Sequence, residues 1–167
     1  MSESDRATVA RQIGREPRAF RRVVVRCPFG RPAVTEQSPY APDGEPFPTT
    51  YYVTCRHLVA AVSRLEADGG VERWTRTAED DPDLARSRDE ADERQRAIRR
   101  ALVVDGEPMR DGGASLELGV GGAGRTGSLK CLHAHVAFAL ASPGYALGEQ
   151  IAAELGPLWP DRCCTDV

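Results

Sequence analysis

Lysine is almost missing from this chain: Lys130 is the one lysine among 22 basic residues, and all the others are arginine. Together with abundant alanine, glycine, proline and aspartate, that bias reads as the product of a GC-rich genome, so an arginine cluster says less about a ligand here than it would elsewhere. A long apolar run is also missing. The longest, residues 134–141, is interrupted by His135 and falls far short of the ~20 residues that a membrane span needs. The opening Met-Ser-Glu-Ser-Asp has no basic stretch leading into an apolar one, so no secretory signal is expected and a soluble, cytoplasmic protein is. Neither a C-x-x-C knuckle nor a G-x-x-x-x-G-K-[ST] loop occurs, which removes the strongest sequence signs of a zinc ribbon and of a nucleotide site.

What remains is ordinary globular material. A chain of 167 residues, 41% hydrophobic and 28% charged, can bury roughly 70% of the surface its unfolded form exposes, so one domain over 1–167 is expected. The net charge of −3 lacks the basic excess of a general nucleic-acid binder. Its distribution is uneven: residues 1–34 carry eight arginines against three acids, and residues 66–93 carry eleven acids against four arginines. These two segments are expected to attract each other within one fold; the alternative is that the Arg-rich start meets a phosphate or an acidic partner.

Local patterns divide the chain. Ser4 can cap a helix running to Ile13, and Gly14 stops it. Phe20 to Arg26 is a β-branched run that Cys27-Pro28 ends, and Ala33 to Glu36 follows a short turn, so the two predict an antiparallel hairpin. Four prolines stiffen residues 38–48, and Thr50 to Thr54 is a third strand. Leu58, Val59, Val62 and Leu65 mark a helix that Gly69-Gly70 stops. Residues 71–78 and 82–104 are charged and helical, the second capped by Asp81 with Pro82 at its first position. Its thin seam of Leu84, Ala91, Ile98 and Leu102 predicts a largely solvated arm. Eight of sixteen glycines lie in residues 106–127, a flexible or ligand-shaped loop. Leu129 to Leu140, with Ser128 as cap, is the expected central buried helix, and Tyr145 to Leu155 the last one. The predicted fold is therefore α+β, a small antiparallel sheet from the N-terminal third covered by helices, with a charged helical arm. Its parts are an Arg-rich helix and sheet over 1–56, helices over 57–104, a Gly-rich loop over 105–128, and apolar helices with a Cys-containing tail over 129–167.

Cysteine and histidine carry the chemistry. In a reducing compartment the five cysteines are expected as thiols, metal ligands or redox groups. Cys27 and Cys55 each close a predicted strand, and Cys131 and His133 open the apolar helix, so the three segments could converge on one tetrahedral zinc ion. Cys163 could replace His133 as fourth ligand, although adjacent cysteines near a terminus, such as Cys163-Cys164, are more often spectators, and buried thiols are the plainer alternative. A second reading makes Cys131 a nucleophile, with His133 or His135 as base and Lys130 beside it; His135 lies one helical turn away, whereas His133 points elsewhere if the helix is already regular there. Residues 119–130 have the composition of a phosphate cradle, glycines followed by Arg125 and then Lys130 at a helix start, with a mobile loop as the alternative.

Arg26-Cys27-Pro28-x-Gly30, Asp43-Gly44-x-Pro46-Phe47-Pro48-Thr49 leading into Tyr51-Tyr52-x-Thr54-Cys55, and Lys130-Cys131-Leu132-His133 together resemble one family. It is the group of actinobacterial proteins catalogued as domain of unknown function five hundred and one, and the resemblance spans nearly the whole chain. It implies a small soluble protein without a membrane anchor and of unassigned activity, with gene neighbours that include a septum-formation protein and an exopolyphosphatase-like enzyme. It places Cys27, Cys55, Cys131 and His133 inside the motif blocks; His135, Cys163 and Cys164 are less clearly part of them, and the Gly-rich stretch before Lys130 departs in length from the family's pattern. The expectation carried forward is a zinc-stabilised binding domain using Cys27, Cys55, Cys131 and His133, with an anion site at Arg125 and Lys130 and an unknown protein or phosphorylated ligand as partner. The alternative is a cysteine-nucleophile enzyme acting on a phosphorylated or acyl substrate.

Overall fold

The β-branched run that opens the chain's first third folds into a meander. In a computed structural model that describes residues 3–124 and 127–164, strands β1 (Phe20–Arg26), β2 (Pro32–Gln37) and β3 (Tyr51–Val53) pair antiparallel in that order. The turn between β1 and β2 closes where Cys27 N–H donates to the Arg31 carbonyl and Gly30 N–H to that of Cys27. Every residue of β2 is buried. Helix α1 (Glu3–Ile13) lies against β1 and β2, and its Gln12 amide donates to the Pro32 carbonyl at 2.8 Å.

The arginines of the N-terminal third find acids close at hand. Arg22 and Arg21 flank the buried Glu36 across the β1–β2 register, Arg18 reaches Asp43, Arg26 reaches Asp5, and Arg6 reaches Glu16. Among the described residues no ion pair joins residues 1–34 to residues 66–93, so the expected attraction between those segments is not how either is neutralised. Acids of the second segment instead meet arginines of their own helix, as in Asp83–Arg86 and Glu93–Arg96, which already stand within reach on a helical surface.

After the sheet come α2 (Arg56–Ala67), α3 (Gly70–Asp80), α4 (Pro82–Leu102), α5 (Leu132–Ala141) and α6 (Ala146–Glu154), which make the molecule α+β. Asp81 caps α4 as its sequence predicts, accepting from the N–H groups of Asp83 and Leu84. Helix α5 is the centre, with seven of its ten residues buried between the sheet and helices α2 and α6. It starts later than its apolar run: Cys131 is the N-cap, in extended backbone, and the Ser128 hydroxyl turns to the Leu129 carbonyl instead of capping.

Helix α4 is charged and largely solvated, as its thin seam predicts, with five of its 21 residues buried, but three of those five are polar. Asp92, Gln95 and Arg99 are buried on it. The Asp92 carboxylate accepts from Val120 N–H at 2.8 Å, Gln95 donates to the carbonyls of Leu118 and Gly119, Arg96 donates to that of Glu117, and Arg99 reaches back to the Phe47 carbonyl at 2.9 Å. Five backbone groups of two loops poor in regular structure thus pair with one helix face. The Gly-rich segment, which forms short 3₁₀ turns at Ala114–Glu117 and Val120–Gly122, is held by those bonds. Gly119 has to be glycine, since a Cβ there would collide with the Asp92 carboxylate.

Candidate functional site

An acid in the last turn of a helix faces the negative end of that helix and is disfavoured there by about 0.3–1 kcal/mol unless a second use offsets it. Glu66, the penultimate residue of α2, has one: its Oε1 accepts from the backbone N–H of Leu132 at 2.7 Å, which caps the start of α5 from another element. The same oxygen lies 3.3 Å from Nδ1 of His133. Cys131 completes the group. Glu66, Cys131 and His133 offer one donor atom each, all within 4.8 Å of one another, and theirs is the one set of three such residues found among the described residues.

The N-cap geometry explains how Cys131 and His133 meet. Two positions apart in a regular helix they would point to different sides, but Cys131 is extended with φ −154° and ψ 111°, which turns its side chain back over the first turn. His133 is oriented from its far side: Nε2 lies 3.3 Å from the Val59 carbonyl, which can only accept, and 3.3 Å from the Ser63 hydroxyl. That fixes the proton on Nε2 and leaves Nδ1 toward Cys131 and Glu66. The imidazole holds a proton more firmly than a free histidine, chiefly through its hydrogen bond with Cys131 and further through Glu66, although burial works in the other direction.

In front of the pair opens a cavity of about 220 Å³ whose walls include Thr49, Tyr51, Tyr52, Val59, Cys131 and His133. The site therefore draws on α2, on β3 and the loop before it, and on the start of α5. Gly121, in left-handed backbone at φ 72°, lies behind Cys131, where a Cβ would come within 3.7 Å of the Cys131 Cβ.

The four residues expected to converge on zinc are divided by the structure. Cys131 and His133 meet each other, but the carboxylate of Glu66 is their third member, and Cys27 and Cys55 are not in the group. Cys27 is buried in the turn after β1. Cys55 is the N-cap of α2 and lies 3.7 Å, sulfur to sulfur, from Cys164; burial pushes its thiol up to about 11. Cys163 is buried and likewise outside the group, so it does not stand in for His133. His135 turns inward, where its Nδ1 and the Tyr145 hydroxyl are 2.6 Å apart and burial, with Arg88 second, brings its imidazole down to about 4. A base for Cys131 would be His133, not His135.

Of the anion pair, Lys130 is exposed next to the site, and Arg125 lies outside the described residues. The loop before them already holds an anion of the protein's own, the Asp92 carboxylate on Val120 N–H. Sequence reasoning missed Glu66 altogether, and the one clue available was an acid placed where the helix dipole disfavours it.

No curated protein and no solved structure matches the chain. A family model does match, over residues 23–152. That span takes in most of β1 and everything from β2 through α5, and with it Cys27, Cys55, Glu66, Cys131 and His133, while Cys163 and Cys164 fall beyond it. The chain belongs to the family described as protein of unknown function (DUF501).

Proposed function

We propose that this protein binds one transition-metal ion through Glu66, Cys131 and His133, with zinc the best fit, and that the ion serves to bind a small ligand in the adjoining cavity. The observation that carries this reading is the convergence of a thiol, an imidazole and a carboxylate at the edge of a 220 Å³ cavity that two of them line. Sulfur, nitrogen and oxygen donors in one set suit zinc. Two ligand atoms held about 2.0–2.1 Å from one tetrahedral ion stand about 3.4 Å apart, and His133 Nδ1 is 3.3 Å from Glu66 Oε1. With the Nε2 proton directed to the Val59 carbonyl, Nδ1 faces Glu66 and Cys131, where a metal ion would take the place of the proton that they favour on the imidazole. Three protein donors, rather than the closed set of four that a structural zinc takes, leave a position for a ligand.

Titration of the metal-free protein with cobalt(II) tests it. One equivalent should bind with a sulfur-to-cobalt absorption band that Cys131→Ser abolishes, with an affinity that Glu66→Gln lowers by removing one ligand charge, while Cys27→Ser leaves both unchanged. Absence of the band in the native protein, or its equal loss in Cys27→Ser, overturns the proposal. The hydrogen bond between Cys131 and His133 favours a second reading, in which Cys131 is a nucleophile with His133 as its base. Its sign would be alkylation of Cys131 by iodoacetamide many times faster than that of a free thiol, with no cobalt band.

A further inference from the structure

The C-terminal segment folds back onto the start of α2 at two points. The His57 ring donates from Nε2 to the Pro157 carbonyl at 3.1 Å, and Sγ of Cys164 lies 3.7 Å from Sγ of Cys55. The two cysteines are 109 positions apart in the chain, so nothing local brings their sulfurs into contact. Their settings differ. Cys55 is 1% exposed and fixed at the N-cap of a twelve-residue helix, whereas Cys164 is half-buried on irregular chain near the end of the described residues. Both are thiols.

We propose that Cys55 and Cys164 form a peroxide-responsive dithiol site, which closes to a disulfide that fastens the C-terminal segment to the head of α2. A disulfide bond is about 2.05 Å long, so the sulfurs must approach by roughly 1.6 Å, a shift that the irregular segment around Cys164 can supply. Cys164 reacts first because it is the more accessible. Its sulfur attacks one peroxide oxygen, the O–O bond breaks, and a sulfenic acid and one water result. Cys55 then attacks the sulfenic sulfur; the S–O bond breaks, hydroxide leaves, and it takes the Cys55 proton to form a second water. Two thiols are oxidised to one disulfide while one peroxide is reduced to two waters. Burial, which holds the Cys55 thiol protonated, agrees with its acting second and only at close range. The helix so fastened also carries Val59, Ser63 and Glu66, the groups that orient His133.

Exposure of the reduced, metal-free full chain to a small molar excess of hydrogen peroxide, followed by non-reducing tryptic mapping, tests the pair. Arg31 precedes proline and resists cleavage, so Cys27 and Cys55 share the peptide 27–56, and Cys163 and Cys164 share 163–167. The expected result is a link between these two peptides. It should persist in Cys27→Ser and Cys163→Ser, disappear in Cys164→Ser and Cys55→Ala, and lower the thiol count from five to three in the native chain. Cys164→Ser lies on the half-buried side and keeps the test decisive if Cys55→Ala fails to fold. A count that stays at five, a link that survives Cys164→Ser, or a link lost in Cys27→Ser or Cys163→Ser overturns the proposal.

Discussion

Helix α4 has 21 residues, most of them charged and five of them buried, and α5 has ten, of which the two histidines are the polar ones and seven are buried; both turn at least one face to the interior. They are held there by different forces. Helix α5 is surrounded by apolar contact: the Phe138 ring meets Tyr51 edge-on at 5.4 Å and Tyr145 at 5.8 Å, and Leu132, Val136 and Ala137 are fully buried. Helix α4 buries few large apolar groups. Its contribution is a row of polar side chains spaced so that Asp92, Gln95, Arg96 and Arg99 meet the backbone of the Gly-rich and Pro-rich loops. An apolar stripe measures only one of the two ways in which a helix can be interior. Loops rich in glycine and proline leave many backbone groups unpaired, and a helix beside them is buried by the partners it supplies.

Substitutions at three positions sharpen that contrast. The largest effect is expected in α5, where Phe138→Ala should cost about 3–5 kcal/mol in urea unfolding, through lost transfer energy and a cavity that close packing prevents from collapsing. A loss below about 1 kcal/mol would show that the centre of the molecule lies elsewhere. Next comes Arg99, fully buried, its Nε and Nη2 without a protein partner and its guanidinium brought below its ordinary pKa by burial. Arg99→Ala should cost about 2–4 kcal/mol, leaving both a void and an unsatisfied Phe47 carbonyl. Arg99→Met keeps most of the volume and removes the desolvated charge, so it should stay within about 1 kcal/mol of the native protein. Equal damage from both would mean that the bond to Phe47, rather than the filled volume, is what α4 supplies there.

The smallest effect is a pH dependence at Asp92. Burial holds this carboxyl above its ordinary value of 3.8; Val120 N–H, Arg96 and Arg88 work against that rise, and Asp89 adds to it. The folded protein therefore keeps the proton longer than the unfolded chain does. Its contribution to stability is full below the ordinary value and is lost as pH climbs through the raised one. Asp92→Asn keeps an acceptor for Val120 without the charge. It should flatten the stability profile across that window and leave the protein at neutral pH as stable as the native chain or slightly more so, by under about 1 kcal/mol. Thermal melts of the two proteins over the same pH series measure the difference, and parallel curves would remove Asp92 as the cause.

Much of the fold was legible because its signals are local. The run at Phe20–Arg26, the cap at Asp81 with Pro82 behind it, and the stop at Gly69-Gly70 each act within a few residues, and the elements stand where those signals put them. The start of α5 shows the limit: the apolar pattern continues to Leu129, but extended backbone at Cys131 delays the helix to Leu132. That delay brings His133 back to Cys131, so the site is built on a boundary that periodicity misplaces. That Cys131 and His133 lie together was legible, since they are close neighbours in sequence. Cys27 and Cys55 lie far from them in sequence, where no local signal says which segments meet, and they stand outside the group.

By itself the sequence determined to within a few residues where strands and helices form, that a three-stranded sheet would be covered by helices, and which residue types could bind a metal or react as thiols. Those properties follow from side-chain volume, branching, caps and the fixed periods of 3.6 and 2. Only the tertiary structure decided that Glu66 joins Cys131 and His133, that Cys55 faces Cys164, and that Asp92 fills the glycine-rich turn. Glu66 and Leu132 are 66 positions apart and the two cysteines 109. At such separations no local preference acts, and the close packing of α2 and α5 determines which side chains are left facing one another.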